Sequence, residues 1–153
     1  MSEGLRFRRP VEADHAVIVR QVDEWWGGRR VHDTLPRLWF QHFTGTSWVV
    51  EDDAGRIVAF LVGFISPDRP DVAYIHMVGT SPNHRMKGLG RALYERFFEE
   101  ARTNGRSVVR CVTSPVNQRS VAFHESLGFE VERVVEDYDG PGEDRVLLVK
   151  RLS

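Results

Sequence analysis

Six consecutive residues in the middle of the chain, Arg85-Met86-Lys87-Gly88-Leu89-Gly90, have the composition of an anion site. The two glycines lack a Cβ, so an oxygen atom of a ligand can approach the main chain closely. A helix beginning near Leu89 would direct its first backbone N–H groups and the positive end of its dipole at the same point. Arg85, Lys87 and Arg91 can add side-chain charge. The loop therefore predicts a phosphate site, and a pyrophosphate would suit it.

Two other glycine-rich phosphate loops do not fit this spacing. The chain has no G-x-x-x-x-G-K-S/T sequence, and Leu93 stands where the third glycine of a dinucleotide fingerprint is required. Taken alone, the hexapeptide also fits a glycine-containing turn from strand to helix whose basic residues face solvent. Other segments have to decide between these interpretations.

The residues before the loop predict a strand, two helices and three more strands. Thr34 precedes Pro36 as an N-cap would, and Gly55 can take the positive φ of a hairpin turn. Gly27-Gly28 stops the first helix. The predicted strands are 5–9, 48–51, 57–65 and 72–78, and the predicted helices are 14–26 and 36–43.

The residues after the loop predict two helices and three strands. Apolar residues recur every fourth position from Leu89 to Ala101, until Asn104-Gly105 ends the helix. A buried strand (108–113), a helix (117–127) and a closing pair of strands (129–135 and 146–150) follow. The order β-α-α-β-β-β-α-β-α-β-β predicts an α/β fold with a mixed sheet.

Composition limits the kinds of function. The 153 residues are 41% hydrophobic and 28% charged, which suits a single domain over residues 1–153. With 21 basic and 22 acidic side chains, no global charge favours nucleic acid or an anionic membrane. The N-terminal residues 1–10 are basic and polar, and no apolar run is long enough to span a bilayer. A single cysteine, Cys111, fits a reducing compartment, so we expect a cytoplasmic protein.

Two segments together resemble the GNAT (N-acetyltransferase) superfamily. Arg85-x-x-Gly88-x-Gly90, preceded by an Ile-His-x-Val strand and Ser81-Pro82, resembles its acetyl-CoA pyrophosphate loop. Asn117-Gln118-Arg119-Ser120-Val121-Ala122-Phe123-His124-Glu125-Ser126-Leu127-Gly128-Phe129 resembles its Asn-x-x-Ala/Ser…Phe-Tyr-x-x-Leu-Gly-Phe segment. The motifs span residues 75–129, and the element order matches over nearly the whole chain. The resemblance implies a splayed mixed sheet flanked by helices, acetyl-CoA as cosubstrate, and direct acetyl transfer to a primary amine in a ternary complex.

The resemblance also implies where acetyl-CoA binds. Its pantetheine arm would insert between strands 72–80 and 108–113 and pair with the backbone of Val78, Gly79 and Thr80. A backbone N–H there would stabilise the negative charge that develops on the thioester oxygen. Asn117 and Ser120 would hold the cofactor from the other side. The pyrophosphate would lie on Arg85, Met86, Lys87, Gly88, Leu89, Gly90 and Arg91.

The chain departs from the family pattern at both proton-transfer positions. His124 stands where the family usually carries a tyrosine that protonates the departing thiolate. An imidazole can donate a proton, although a histidine that only fills the tyrosine's space is the alternative. The strand at 108–112 carries no carboxylate to act as the base, so His76 is our candidate, with a water chain as the alternative.

Other chemistry-bearing residues support weaker hypotheses. The acidic segment at 137–144 is either a solvated hairpin loop or a lid that attracts a cationic acceptor, with Asp23, Glu24 and Tyr138 as further candidates. An acetyl-cysteine on Cys111 is less favoured than a buried inert thiol. The spacing of the six histidines predicts no metal site.

The acceptor is left open by the sequence. We expect a small-molecule or peptide amine. Which amine it is cannot be read from the sequence, because family members differ in the loops that determine the acceptor. A non-catalytic acyl-CoA-binding sensor or regulatory module is the alternative function. We expect no nucleic-acid or membrane partner, and we expect a homodimer, since such folds often leave an exposed strand edge.

Overall fold

The computed structural model describes residues 4–153, without the side chains of Met86 and Lys87. Residues 1–3 of the basic N-terminal segment and the predicted phosphate contact of the Lys87 side chain therefore lie outside the description. Short 3-10 turns cover His32–Thr34, Thr44–Thr46 and Pro82–Lys87. The strands and helices are β1 (Arg6–Arg8), α1 (Asp14–Val19), α2 (Val22–Trp25), α3 (Trp39–His42), β2 (Trp48–Glu51), β3 (Ile57–Ile65), β4 (Val72–Thr80), α4 (Leu89–Thr103), β5 (Val108–Thr113), α5 (Gln118–Ser126), β6 (Glu130–Val135) and β7 (Arg145–Arg151).

The strands form a seven-stranded mixed sheet in the order β1-β2-β3-β4-β5-β7-β6. Strands β1 to β3 pair antiparallel, as do β5 with β7 and β7 with β6. The parallel ladder of β4 and β5 joins Val72 with Val108 through Tyr74 with Arg110. It covers three residue pairs, although β4 has nine residues and β5 has six. The predicted α/β class with a mixed sheet is confirmed.

The chain divides into two compact units. The first contains Met1–Phe64 and Met77–Phe97. Its core is formed where α1, α2 and α3 pack on apolar side chains of β2 and β3. Its buried members are Ile18, Val22, Trp25, Leu35, Trp39, Phe40, Val49, Ile57, Phe60 and Val62.

The second unit contains Ile65–His76 and Phe98–Ser153. Phe98, at the C-terminal part of α4, packs against Phe129 with ring centroids 6.0 Å apart. The Lys150 ammonium lies 5.3 Å from the Phe98 centroid on the same cluster. Leu148 and Cys111, which are partners in the β5–β7 ladder, are also buried in this unit. The single-domain organisation stays a prediction.

The predicted helix at 14–26 is wrong as a single element, because α1 ends at Val19 and α2 begins at Val22. The run Val17-Ile18-Val19 has β-branched side chains, which are poor helix formers. Gln21, between the two helices, stays in the right-handed region but its φ of −116° is far from the regular helical value, and Ile18, Val22 and Trp25 still reach the core. The predicted stop at Gly27-Gly28 is confirmed, with φ of 69° and 89°.

The predicted N-cap at Thr34 is also wrong. The Thr34 hydroxyl donates to the Val31 carbonyl at 2.6 Å inside a 3-10 turn, and α3 begins only at Trp39. The Asp23 carboxylate accepts from the backbone N–H groups of Val31 and His32 at 2.7 and 2.8 Å, which fixes this turn ahead of the proline. A distant carboxylate thus determines the local conformation.

Other predicted elements are confirmed. Gly55 has φ 78° in the turn of the antiparallel β2–β3 hairpin, and α4 covers Leu89–Thr103. Strand β4 continues two residues beyond the predicted end, to Thr80. In the described part of the chain, no helix has both the length and the apolar character needed to cross a membrane.

Candidate acetyl-CoA site

The loop between β4 and α4 is fixed by main-chain hydrogen bonds. Ser81 N–H donates to the Val58 carbonyl of β3 at 2.8 Å, and His84 N–H donates to the Ser81 carbonyl at 2.8 Å. A 3-10 turn then leads to Gly88, which is left-handed with φ 72°. A Cβ added to Gly88 would meet no heavy atom within 4 Å. The space beside this glycine is therefore open to a ligand.

Helix α4 begins directly after Gly88 and has 15 residues. Ala92 N–H donates to the Gly88 carbonyl at 3.0 Å, so the N–H groups of Leu89, Gly90 and Arg91 precede the helix's first internal hydrogen bond. Leu89 and Leu93 are buried, which fixes the orientation of the helix. This first turn has the donors and the dipole that the sequence predicted for an anion site.

Arg85 contacts the neighbouring helix rather than standing apart from the fold. Its guanidinium donates from Nη2 to the carbonyl of Trp25, the last residue of α2. The loop between β4 and α4 and the end of α2 are thereby joined inside the first unit. The proposed phosphate contact of the Arg85 side chain stays a prediction.

Gly79 is a glycine because of close packing. It is buried in β4 and its φ is not left-handed, yet a Cβ at this position would lie 2.6 Å from Phe60 Cε1 and 2.8 Å from Trp26 Cζ3. The half-buried indole of Trp26 thus lies directly against the main chain at Gly79. This contact was not predicted from the sequence. The adjacent Trp25-Trp26 pair was its only signal in the sequence.

Three predicted residues of the second unit are linked along α5. The Asn117 side chain caps the helix by accepting from Ser120 N–H at 3.1 Å. The Ser120 carbonyl in turn lies 2.7 Å from His124 Nδ1, and the Ser120 hydroxyl lies 3.4 Å from the same nitrogen. The spacing i, i+3, i+7 places all three on one side of α5.

The surroundings of His124 favour its neutral form. The ring is 5% exposed and packs edge-on against Phe129, with centroids 5.1 Å apart. Burial lowers the pKa of His124, and the hydrogen bond to the Ser120 carbonyl opposes this only in part. Since a carbonyl only accepts, Nδ1 carries a proton there, and the neutral ring has its lone pair on Nε2.

His76 is half-buried on β4, within the second unit. Tyr74, two residues before it on the strand, has its pKa raised by burial and by the nearby Cys111, Tyr138 and Asp139. Tyr74 therefore stays protonated at neutral pH. The role of His76 as the base stays a prediction.

The acidic segment at 137–144 has the contacts of an ordered hairpin loop. Arg145 pairs with Asp139 at 2.8 Å and with Glu143 at 3.1 Å. Asp137 accepts from Gly142 N–H at 2.7 Å, and Asp144 accepts from Asp137 N–H at 2.9 Å. Because these carboxylates are used inside the loop, the solvated-hairpin interpretation is favoured over a charged lid.

Three further features concern a covalent intermediate, a metal site and a cavity outside the predicted site. Burial raises the pKa of the Cys111 thiol, which favours the inert interpretation of this cysteine. Within residues 4–153, no cluster of three His, Cys, Asp or Glu side chains could hold a metal ion. An open cavity of about 330 Å³ beside β1 and β2 has Arg6 and Glu51 in its lining and contains none of the predicted site residues.

The predicted residues thus fall into two groups. The first unit carries Val78, Gly79, Thr80 and the loop from Arg85 to Arg91. The second unit carries His76, Asn117, Ser120 and His124.

Known proteins share both the sequence pattern and the fold. The L-2,4-diaminobutyric acid acetyltransferase of Streptomyces coelicolor is 34% identical over 120 residues, which cover 72% of this chain and 71% of that protein. The L-methionine sulfoximine/L-methionine sulfone acetyltransferase of Salmonella typhimurium is 43% identical over 123 residues, covering 77% and 70%. The crystal structure of Ard1 from Thermoplasma volcanium has a TM-score of 0.83 at 19% identity, covering 98% of this chain and 99% of that one, and so shares the fold.

The length of the match differs between relatives. The chain spans 46% of the L-2,4-diaminobutyric acid acetyltransferase of Nocardia farcinica, to which it is 35% identical over 90 residues. The pattern of the acetyltransferase (GNAT) family matches residues 17–129, which include both motifs and most of the elements described above. This protein therefore belongs to the GNAT family of acetyltransferases.

Proposed function

We propose that the protein is an acetyl-CoA-dependent N-acetyltransferase that transfers the acetyl group directly to a primary amine in a ternary complex. The observation that carries this proposal is the turn at Gly88. Its left-handed backbone leads into the first turn of α4, and the space where a Cβ would stand is open. An anionic pyrophosphate fits these donors and this space.

The reaction needs three contributions from the protein. Attack by the amine places negative charge on the thioester oxygen, which backbone N–H groups of Val78, Gly79 or Thr80 would stabilise. A primary ammonium has a pKa near 10 and must lose a proton before attack, so we assign His76, or water, as its base. The thiolate then leaves and takes up a proton, for which we assign His124.

The chemistry of His124 limits when it can donate. Its lowered pKa makes the imidazolium a stronger acid but reduces its population near pH 7. A thiol with a pKa near 8.5 needs little assistance, so a small protonated fraction suffices. We therefore expect the contribution of His124 to turnover to fall as pH rises through its lowered pKa.

We infer that the acceptor is a free amino acid or a compound closely related to one. The relatives from Streptomyces coelicolor and Salmonella typhimurium are named for 2,4-diaminobutyric acid and for methionine sulfoximine and sulfone, all of which are amino acids. In the first unit, the half-buried indole of Trp26 lies against Gly79 of β4, and the methylene groups of such a side chain would pack on it while the polar end faces away.

The test is acetyl-CoA consumption with a panel of amines, measured together with calorimetry of acetyl-CoA binding. The panel should contain amino acids, polyamines, aminoglycosides and short peptides. We expect turnover with one or more amino acids. Tight acetyl-CoA binding without turnover of any amine would support the sensor alternative, and no acetyl-CoA binding would overturn the proposal.

We also propose a homodimer in a reducing, cytoplasmic setting. The single cysteine of the chain, Cys111, is buried and has no second cysteine to pair with, which fits such a compartment. Analytical ultracentrifugation tests the dimer, and cell fractionation tests the location.

A further inference from the structure

Strand β6 (Glu130–Val135) stands at the end of the strand order, with β7 as its one neighbour among the described strands. Residues 130–134 are all exposed. An edge strand presents N–H and C=O groups that can pair with a strand of another molecule. The chemistry of β6 therefore determines what can pair there.

One face of β6 is apolar. Val131 and Val134 are 41% and 58% exposed, and they stand opposite Leu148 and Val146 of β7, which are buried. Cross-strand partners share a face of the sheet. The two valines therefore continue the buried face of β7 out to the edge, where their remaining surface meets water.

The other face of β6 carries adjacent opposite charges. A bulge between Val131 and Arg133 leaves Glu132 as the extra residue. Glu132 accepts from Arg110 of β5 at 2.6 Å, and Arg110 stands opposite Val149 in β7. Arg133 stands opposite Leu147, which shares a face with Val149 because the two are two residues apart. Glu132 and Arg133 consequently lie side by side on this face.

We propose that the partner at this edge is β6 of a second copy of the chain, paired antiparallel across a two-fold axis between Glu132 and Arg133. In this register Glu132 of each copy stands opposite Arg133 of the other, and Val131 stands opposite Val134. Each pair occurs twice, as a two-fold interface requires. The proposal rests on the homodimer proposed above and is independent of the acetyl-transfer chemistry.

The register is determined by the sequence of the strand. A slip of one residue in one direction places Glu132 opposite Glu132, and a slip in the other direction places Arg133 opposite Arg133. Like charges directly opposite each other destabilise a ladder, whereas opposite charges and β-branched pairs stabilise it. The strand is thus complementary to itself in the proposed register and not in these neighbouring ones.

Charge variants test the surface directly by light scattering and sedimentation. The wild type should have a mass of about 35 kDa, twice that of the 17.6 kDa chain. Arg133→Glu places glutamate opposite glutamate in both pairs, and Glu132→Arg places arginine opposite arginine. Each should weaken the dimer by roughly 10-fold or more. Mixed one to one, the two variants should form a heterodimer, because every charged pair is then opposite again.

Two controls separate the outcomes. Arg119→Glu changes an exposed charge on α5 rather than on β6 and should leave the mass unchanged. Val134→Lys should weaken the dimer through the apolar face alone, with folding checked by circular dichroism. A wild-type mass of one chain at every concentration overturns both the homodimer and this surface. A dimer that persists in Arg133→Glu and Val134→Lys overturns the surface and leaves the homodimer standing.

Discussion

The loop at Gly88 and the helix α5 both carry residues assigned to acetyl transfer, but the loop uses main-chain groups and the helix uses side chains. At Gly88 the main chain supplies the geometry, through a left-handed glycine and the first N–H groups of a 15-residue helix. Along α5 the side chains supply it, through hydrogen bonds that join Asn117 to Ser120 and Ser120 to His124.

The difference affects how each region responds to its surroundings. Backbone N–H groups do not titrate, so the loop should bind an anion equally well across the physiological pH range. His124 does titrate, and its burial next to Phe129 determines how much of it is protonated. Cofactor affinity and turnover should therefore separate in their pH dependence.

The largest effect is expected from Gly88→Val, which breaks the main-chain half of the comparison. A side chain would occupy the open space beside the turn and strain a residue with φ 72°. We expect acetyl-CoA affinity to fall by roughly 10²-fold or more, measured by calorimetry. Gly105→Val is the matched control, because Gly105 ends α4 with the same φ of 72° and also has open space around it. Equal acetyl-CoA affinity in the two variants would show that Gly88 does not lie at the phosphate.

The second prediction concerns His124, one of the side chains that α5 contributes. If His124 donates the proton, His124→Phe should lower turnover by roughly 10²-fold with acetyl-CoA affinity nearly unchanged, because general acid catalysis is typically worth that much. His124→Tyr restores the family's usual residue and should recover most of the activity. A phenylalanine variant with wild-type turnover and an unchanged pH profile would show that His124 only fills space, leaving water or Tyr138 as the donor.

The protonation of His124 should also affect the free energy of unfolding, but in the opposite direction: turnover needs the protonated ring, whereas the folded state favours the neutral one. The pKa of His124 is lower in the folded state than in the unfolded chain, so the unfolded chain binds more protons as pH falls. The associated stability is present above the unfolded pKa of about 6.5 and is lost as pH falls through the lowered folded pKa. Urea titrations from pH 7.5 to 5 should show this loss in the wild type and a smaller one in His124→Phe.

The sequence predicted the local features of the molecule and missed those that depend on contacts between distant residues. Gly88, Gly90 and the apolar period of α4 are local features, and the structure places a left-handed turn and a helix there. The conformation at Thr34 depends on the distant Asp23 carboxylate, which residue spacing does not record, and the break at Gln21 follows a β-branched run that the apolar period alone does not reveal. Likewise, burial lowers the pKa of His124, and its hydrogen bond to the Ser120 carbonyl determines which ring nitrogen carries the proton of the neutral form; neither can be read from the motif.

The fourth prediction tests whether the main chain of β4 also belongs to the site. Gly79→Ala puts a Cβ within 3 Å of Phe60 and Trp26, so rings or backbone must shift. Overpacking of this kind typically costs about 1–3 kcal/mol. Chemical denaturation should show the loss, together with a lower acetyl-transfer rate. Gly45→Ala is the control, because Gly45 has no left-handed φ and no atom within 4 Å of the added Cβ, and its stability should hardly change.

The smallest effect is expected at Asn117, which serves α5 as a cap and is also assigned to the cofactor. Asn117→Ala removes the side-chain acceptor for Ser120 N–H, leaving only the Asn117 carbonyl, and should lower the free energy of unfolding by about 1 kcal/mol. Asn117→Asp keeps a side-chain oxygen that can accept from that N–H, and a negative charge is favourable at a helix N-terminus. Its free energy of unfolding should therefore stay within roughly a few tenths of a kcal/mol of the wild-type value. The aspartate nevertheless lacks the amide N–H donors. If Asn117 also holds acetyl-CoA through them, Asn117→Asp should bind the cofactor more weakly while remaining as stable as wild type, in paired calorimetry and denaturation experiments. Full cofactor affinity in Asn117→Asp would restrict Asn117 to capping, and α5 would then contact the cofactor through other residues or not at all.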